Sequence, residues 1–513
     1  MENYIIGIDS GTTGIKAVAF DLQGKEVCKQ GYPLNGIFPE ENWYEEDMFE
    51  IWDKAKLCIQ AITAKLPKES IIGIGITAQG DGLWMIDENG EPVRNGCCFC
   101  DGRSAEFVDQ WSKDGTIEKV FEIAGTRMFT GNQNGIVLWM EKYEPENLKK
   151  AKYLLHLKDY LFYKLTGEIT TDATDQSLVF LNMKTRDYDD RLFEIFGLQK
   201  YRDKYPPVKS SKENAAQISA KTAEEMGLSS KVLVTSGPMD VSACALGSGV
   251  VEKAHCCSIL GTAALHEMVI DEPCADNIMT GMTVAHVMEN RWLRLMASLA
   301  GTPNLEWLLQ TFGKSVYDQA AQKGMNVYAH MEALIKNVPI GSNGILYHPY
   351  LLAGGERAPF TDPRARASFT GISVRHKLED IIRACYEGVA FAMLDCYNHM
   401  PIEPQKITVC GGGANSAVWC QMFSDALGKP LVTVDGQELG AKGVILNNAV
   451  IQGLYADYSE AVNATVKTVK GYEPDMHANE QYKQYYVLYK RTYELLSETW
   501  KLRNTVMSGK TIQ

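Results

Sequence analysis

The chain has 513 residues, 45% hydrophobic and 22% charged, a composition that suits an ordinary globular protein of more than one domain and excludes a largely disordered one. Fifty-one Lys and Arg against 64 Asp and Glu leave a formal charge of -13, which disfavours nonspecific attraction to nucleic acid or an anionic membrane. No apolar run approaches the roughly 20 residues that span a bilayer, and no leader-like segment precedes the first strand-like run, so a cytoplasmic protein is expected.

Residues 4–9 and 15–20 read as two apolar strands joined by the turn Ser10-Gly11-Thr12-Thr13-Gly14, and Gly24 turns the chain into a third strand around Val27. Apolar residues then recur at helical spacing over 47–64, followed by a strand over 71–77. This alternation predicts an α/β fold. A strand, turn, strand pattern returns over 254–270, with Ser258-Ile259-Leu260-Gly261-Thr262 in place of the first Gly-Thr turn, and suggests two related lobes facing one cleft. The strand at 407–410 runs into Gly411-Gly412-Gly413-Ala414-Asn415-Ser416 and a helix through Leu427, and residues 479–502 read as a helix. The repeat alone places the boundary near 247–251, giving an N-terminal lobe at 1–248 and a C-terminal lobe at 249–513. The thirteen cysteines include the cluster Cys97, Cys98 and Cys100 and the pair Cys256 and Cys257, without the spacing of a zinc site. Reduced thiols are expected, with no disulfide and no structural metal.

Phosphoryl transfer needs a phosphate cradle, a metal and a base aligned with the acceptor hydroxyl. Asp9 ends an apolar strand beside Gly11, Thr12 and Thr13, a placement suited to phosphates and hydrated Mg2+, although Asp, Gly and Thr are also ordinary turn residues. Asp240 follows the apolar strand 232–235 in Gly237-Pro238-Met239-Asp240, where open α/β sheets bind ligands; the competing reading is an N-cap for a helix over 241–246.

Order and spacing bear on both readings: Asp9-x-Gly-Thr-Thr, Gln79-Gly80-Asp81-Gly82, Asp101-Gly102-Arg103, Asp240, Gly261-Thr262 and Gly411-Gly412-Gly413. This series resembles the FGGY carbohydrate kinases over nearly the whole chain. The most specific stretch is 347–371, YHPYLLAGGERAPFTDPRARASFTG, with His156-Leu157-Lys158-Asp159-Tyr160-Leu161 and Thr166-Gly167-Glu168 similar to another recurring segment. The resemblance implies two actin-like (ribonuclease H-like) ATPase lobes around a central cleft, the N-terminal one for sugar and phosphate and the C-terminal one for nucleotide. It puts Gly11, Thr12, Thr13, Gly261, Thr262, Gly412, Gly413 and Ser416 on ATP, and Asp9 and Asp240 beside Mg2+. Asp240 would be the base, and Gln79, Gly80, Asp81, Trp84, Asp101 and Asp240 would meet the substrate. The family's first signature has a Lys before a Trp, which Gly131-Asn132-Gln133-Asn134-Gly135-Ile136-Val137-Leu138-Trp139 lacks, and Gly301-Thr302-Pro303-Asn304 fits the nucleotide-lining segment poorly and is left out of the site.

The turn Gln79-Gly80-Asp81-Gly82-Leu83-Trp84 resembles the erythritol kinases, whereas Asn304-Leu305-Glu306-Trp307 is more like the L-xylulose kinases. Asp81 offers an acceptor for a vicinal diol, and Trp84 is either a pocket wall or a core anchor. The expected activity is transfer of the ATP γ-phosphate to a terminal hydroxyl of a small acyclic polyol or ketose, erythritol or L-xylulose before other pentitols and pentuloses such as D-xylulose. The partner is that small molecule, with no nucleic acid or membrane, and a homodimer is left open. An ATP-driven conformational protein or a non-catalytic sugar sensor is the other class, and the sugar-reading turns together with Asp9, Thr12, Thr262 and Asp240 weigh against it.

Overall fold

The opening hairpin forms because its strands, Tyr4–Gly11 and Gly14–Asp21, alternate their apolar residues between two faces. Ile6, Ile8, Ala17 and Ala19 point into one buried cluster with Ile51, Ala55 and Ile59 of the helix Met48–Thr63. Ile5, Val18 and Phe20 point into another with Leu246, Ala441 and Ile445. The computed structural model describes residues 2–273, 279–352 and 354–509. It has two compact units: Met1–Lys253 with Val269–Arg294 and Asp435–Lys467, and Ala254–Met268 with Leu295–Val434 and Thr468–Gln513.

The first unit is built on a six-stranded mixed sheet in the order Ala215–Gln217, Leu233–Ser236, Ile71–Ala78, Tyr4–Gly11, Gly14–Asp21, Glu26–Pro33. Its three parallel neighbours are the central ones, buried on both faces. Asp47 caps the helix Met48–Thr63 by accepting from Phe49 N at 2.8 Å and Glu50 N at 3.3 Å, so the helix starts where the polar-to-apolar change predicts. On the opposite face the helix Leu439–Ile451 lies close to the sheet because Gly7 and Gly75 present no side chain there; a Cβ on either would strike the carbonyl of Ala441 or Val444.

The second unit repeats the plan. His255–Leu260 pairs antiparallel with Ala264–Ile270 and parallel with Lys406–Cys410, which continues to Leu431–Val434 and Thr468–Tyr472. The last helix runs Met476–Met507, longer at both ends than its periodicity indicates, with Asp475 accepting from His477 N as its cap. Among the described residues no helix is long and apolar enough to cross a membrane.

Candidate active site

In the first unit the parallel strands end in the residues singled out by sequence. Asp9 lies near the end of the first strand, Gln79-Gly80-Asp81 follows Ile71–Ala78, and Asp240 follows Leu233–Ser236. The segment carrying Asp240 is tied at each residue before it. Gly237 N donates to Ile76 O at 2.9 Å and Gly237 O accepts from Asn447 Nδ2 at 3.0 Å. Pro238 O accepts from Thr77 Oγ1 at 2.8 Å, and Met239 N donates to Thr174 Oγ1 at 3.0 Å. The helix runs Asp240–Gly247, so Asp240 is its first residue, and Met239 stands at the cap position.

The Asp240 side chain is half-buried. Burial and the charge of Asp9 push its pKa up to about 7, against the stabilising N–H groups of Val241, at 2.8 Å, and Gly80. A carboxylate poised near neutrality can accept a proton from an alcohol and release it again. The Gly80 contact also couples this group to the turn that follows Gln79. A Cβ on Gly80 would approach Met239 Sδ to 2.9 Å, so the glycine packs the turn against the residue preceding Asp240.

Asp9 pairs through Oδ2 with Lys16 Nζ at 3.1 Å, and Lys16 reaches Glu438 Oε2 at 2.7 Å. Burial opposes the Lys16 charge, but these two carboxylates outweigh it and hold its pKa above the usual lysine value. The residues present fit a divalent cation: two carboxylates, Asp9 and Asp240, repel one another, and Gly440 leaves room beside Asp9, where a Cβ would sit 3.0 Å from Oδ2. Thr12 and Thr13 form the hairpin turn, Thr12 half-buried and Thr13 exposed. Their carbonyls accept from Tyr44 Oη at 3.1 Å and Leu34 N at 3.1 Å, which fixes the turn while leaving its hydroxyls available.

The residues assigned to the acceptor divide into engaged and open groups. Gln79 is buried, its Nε2 donating to Glu46 Oε2 at 2.7 Å and its Oε1 accepting from Cys98 Sγ at 2.8 Å. Asp81 is buried with a left-handed backbone, φ 56°, and its Oδ1 accepts from Asn132 Nδ2 at 2.7 Å. Burial pushes Asp81 up to about 8, so near neutral pH it carries a proton and can donate as well as accept. Asp101 is fully buried, its two oxygens shared among Tyr44 N, Arg103 N and the Arg103 guanidinium at 2.7–2.9 Å. Arg103 stacks between Trp43 and Trp139, 4.6 and 4.8 Å from their ring centres, and its Nη1 is a buried donor with no hydrogen-bond partner among the described residues. Trp84 is fully buried in the core cluster against Gly82 and Gly96, the position of a core anchor.

Three residues that the sequence reading did not place in the site support it. Asn132 orients Asp81; Glu46, pushed up to about 7 by burial, backs Gln79; and Lys158 organises the floor. Lys158 is buried with Asp159 at 2.7 Å, Asp175 at 3.0 Å and Asp172 at 3.3 Å. Asp172 caps the short helix Ala173–Gln176 and accepts from Thr174 Oγ1 at 2.8 Å, the hydroxyl that holds Met239 N. His156, Asp159 and Asp175 are close enough to hold a metal, but the Lys158 ammonium already supplies the positive charge among them.

Within the second unit, Gly261 O accepts from Thr302 N at 2.8 Å and Thr302 Oγ1 at 2.9 Å, so the segment left out of the site packs directly on the Gly261-Thr262 turn. Gly411 and Gly413 pack on Leu260, where a Cβ on either would come within 3.0 Å. Gly412 and Thr262 are exposed, and Ser416 caps the helix Ala417–Leu427 by accepting from Trp419 N at 3.0 Å. The two glycine turns therefore converge within this unit.

Comparison with known proteins agrees with this architecture. The N-terminal domain of the FGGY family of carbohydrate kinases matches residues 4–247, and its C-terminal domain matches residues 256–451. An erythritol kinase of Brucella abortus is 30% identical over 99% of this chain and 98% of its own. The L-xylulose/3-keto-L-gulonate kinase of Escherichia coli is 28% identical over 95% and 96%. Among solved structures, xylulose kinase from Lactobacillus acidophilus superposes with a TM-score of 0.90 at 24% identity, covering 97% of this chain and 99% of that one. Glycerol kinase from Plasmodium falciparum gives 0.82 at 19%, covering 100% and 99%. The α/β fold of two actin-like lobes expected from the sequence is the fold of these proteins. This chain belongs to the FGGY family of carbohydrate kinases and is an ATP-dependent sugar or polyol kinase.

Proposed function

We propose that the acceptor is a small acyclic polyol or ketose, erythritol or L-xylulose first, and that a terminal hydroxyl receives the γ-phosphate with Asp240 as base. The observation that carries this reading is the Asp240 carboxyl, pushed up to about 7 and joined through the Gly80 N–H to the turn that carries Asp81. The acceptor oxygen forms a bond to the γ-phosphorus as the bond to the β-phosphate oxygen breaks, and the hydroxyl proton passes to Asp240. Gly11, Thr12 and Thr13 of the first turn, with Gly261, Thr262, Gly412, Gly413 and Ser416, are assigned to ATP. On this reading the region 1–248 reads sugar and phosphate and 249–513 holds the nucleotide. Asp9 and Asp240 would hold Mg2+, which when bound neutralises phosphate charge.

Gln79, Gly80, Asp81 and Asp101 are assigned to the acceptor side, with the engaged members shaping the wall rather than offering free atoms. A protonated Asp81 suits either a hydroxyl acceptor or the carbonyl of a ketose. A relative named erythritol kinase and one named L-xylulose/3-keto-L-gulonate kinase support the same range, and a cytoplasmic location accords with a soluble metabolite as substrate. ADP release measured over erythritol, xylitol, D- and L-arabinitol, D- and L-xylulose, ribulose and glycerol tests the assignment. Highest kcat/KM with erythritol or L-xylulose is expected; preference for glycerol or D-xylulose contradicts it.

A further inference from the structure

Two thiols stand behind the proposed acceptor turn and take no part in the transfer chemistry. Cys98 is buried and Cys100 is exposed, with their sulfurs 3.5 Å apart. They follow the short strand Gly96–Cys97, which pairs with Glu45–Glu46. Cys98 Sγ donates to Gln79 Oε1, and Gln79 Nε2 donates to Glu46 Oε2. The other Glu46 oxygen is buried with no hydrogen-bond partner among the described residues. One thiol therefore serves the turn as a hydrogen-bond donor, while the other faces solvent within reach of it.

We propose that Cys98 and Cys100 form a redox modification site, at which a hydroperoxide joins them in a disulfide and so weakens acceptor binding at the Gln79 turn. The sulfurs are already in contact, so closure needs a short side-chain movement. Cys100 is the solvent-exposed member of the pair, so it is the thiol that a peroxide reaches first, and its thiolate form is the nucleophile. Cys100 thiolate attacks one peroxide oxygen: an S–O bond forms, the O–O bond breaks, and the departing oxygen is protonated to an alcohol. Cys98 sulfur then attacks Cys100 sulfur. The S–S bond forms, the S–O bond breaks, and the hydroxide takes the Cys98 proton and leaves as water. The two thiols lose two electrons in all, and the hydroperoxide is reduced to an alcohol and water.

The product sulfur carries no hydrogen, so Gln79 Oε1 loses its donor and Cys98 is drawn toward Cys100. A buried acceptor without a partner reorients, and Gln79 takes its contact with Glu46 with it. A disulfide closing so short a loop is readily reduced by a dithiol, which makes the change reversible.

The effect on binding rests on the acceptor turn proposed above; the disulfide itself does not. The full chain is treated with hydrogen peroxide and then with dithiothreitol, following the mass of the tryptic peptide 95–103 and the KM for whichever acceptor supports ADP release. Expected are a peptide lighter by about 2 Da with Cys98 and Cys100 linked, and an acceptor KM raised about tenfold, the scale of one buried hydrogen bond. The KM for ATP stays unchanged, dithiothreitol reverses both effects, and Cys100→Ser shows neither while keeping the reduced KM. Peroxide-treated protein without the Cys98–Cys100 bond overturns the proposal, as does equal loss of acceptor affinity in the wild type and Cys100→Ser. If no acceptor is phosphorylated even by the reduced protein, the functional reading fails, and the peptide mass alone decides the dithiol.

Discussion

Asp240 draws its chemistry from its surroundings. Burial and the nearby Asp9 push its carboxyl up to about 7, and the N–H groups of Val241 and Gly80 limit the rise. Only the ionised form accepts a proton. In the proposed role, kcat/KM should therefore increase as pH rises through about 7 and fall below it, which a pH–rate profile of the free enzyme checks. A profile flat from about pH 5 to 8 contradicts the base assignment. Asp81 has a related history, since as an acceptor-only carboxylate it would be costly where it lies. Burial keeps its proton on to about 8 and turns it into a donor as well, a change in chemistry that residue type alone does not reveal.

At the scale of elements, the segment 237–240 is held by strand, helix and ion cluster together. Thr77, Asn447 and Thr174 each take one of its backbone groups, and Thr174 is itself fixed by Asp172, which pairs with Lys158. Lys158→Met leaves Asp159, Asp172 and Asp175 buried without their ammonium. A loss of about 3–5 kcal/mol in urea unfolding is expected, the cost of breaking a buried ion pair. A change within experimental error would show that the cluster does not support the turn. The elements themselves were largely legible. The opening hairpin, the helix capped by Asp47 and the strands at 71 and 407 have alternating or helical apolar patterns, and each lies where those patterns put it. The ion cluster was not legible as a support. Its members come from separate local motifs, and only the tertiary fold brings Lys158 beside Asp172 and Asp175 and ties them to Met239.

Over the whole molecule, one plan occurs twice. In the first unit a hairpin pairs in parallel with Ile71–Ala78, which ends in Gln79-Gly80-Asp81; in the second a hairpin pairs in parallel with Lys406–Cys410, which ends in Gly411-Gly412-Gly413. The same topology thus delivers a polar turn in one unit and a glycine turn in the other. The repeated Gly-Thr turns made this plan visible in the sequence. What stayed hidden was the state of each side chain: Asp101 spent on Arg103, Trp84 sunk in the core, and Thr302 packed on Gly261. Burial and partner choice depend on residues remote in the chain, and local spacing carries no record of them. The division of chemistry between the two regions still rests on Asp240, whose local sequence fits a helix cap as well as a base. The most direct test is acceptor-dependent ADP release by Asp240→Asn, with ATP binding measured in parallel. The account predicts kcat lower by about 10² or more with ATP affinity retained, the scale of a positioned base; near-normal turnover would contradict it.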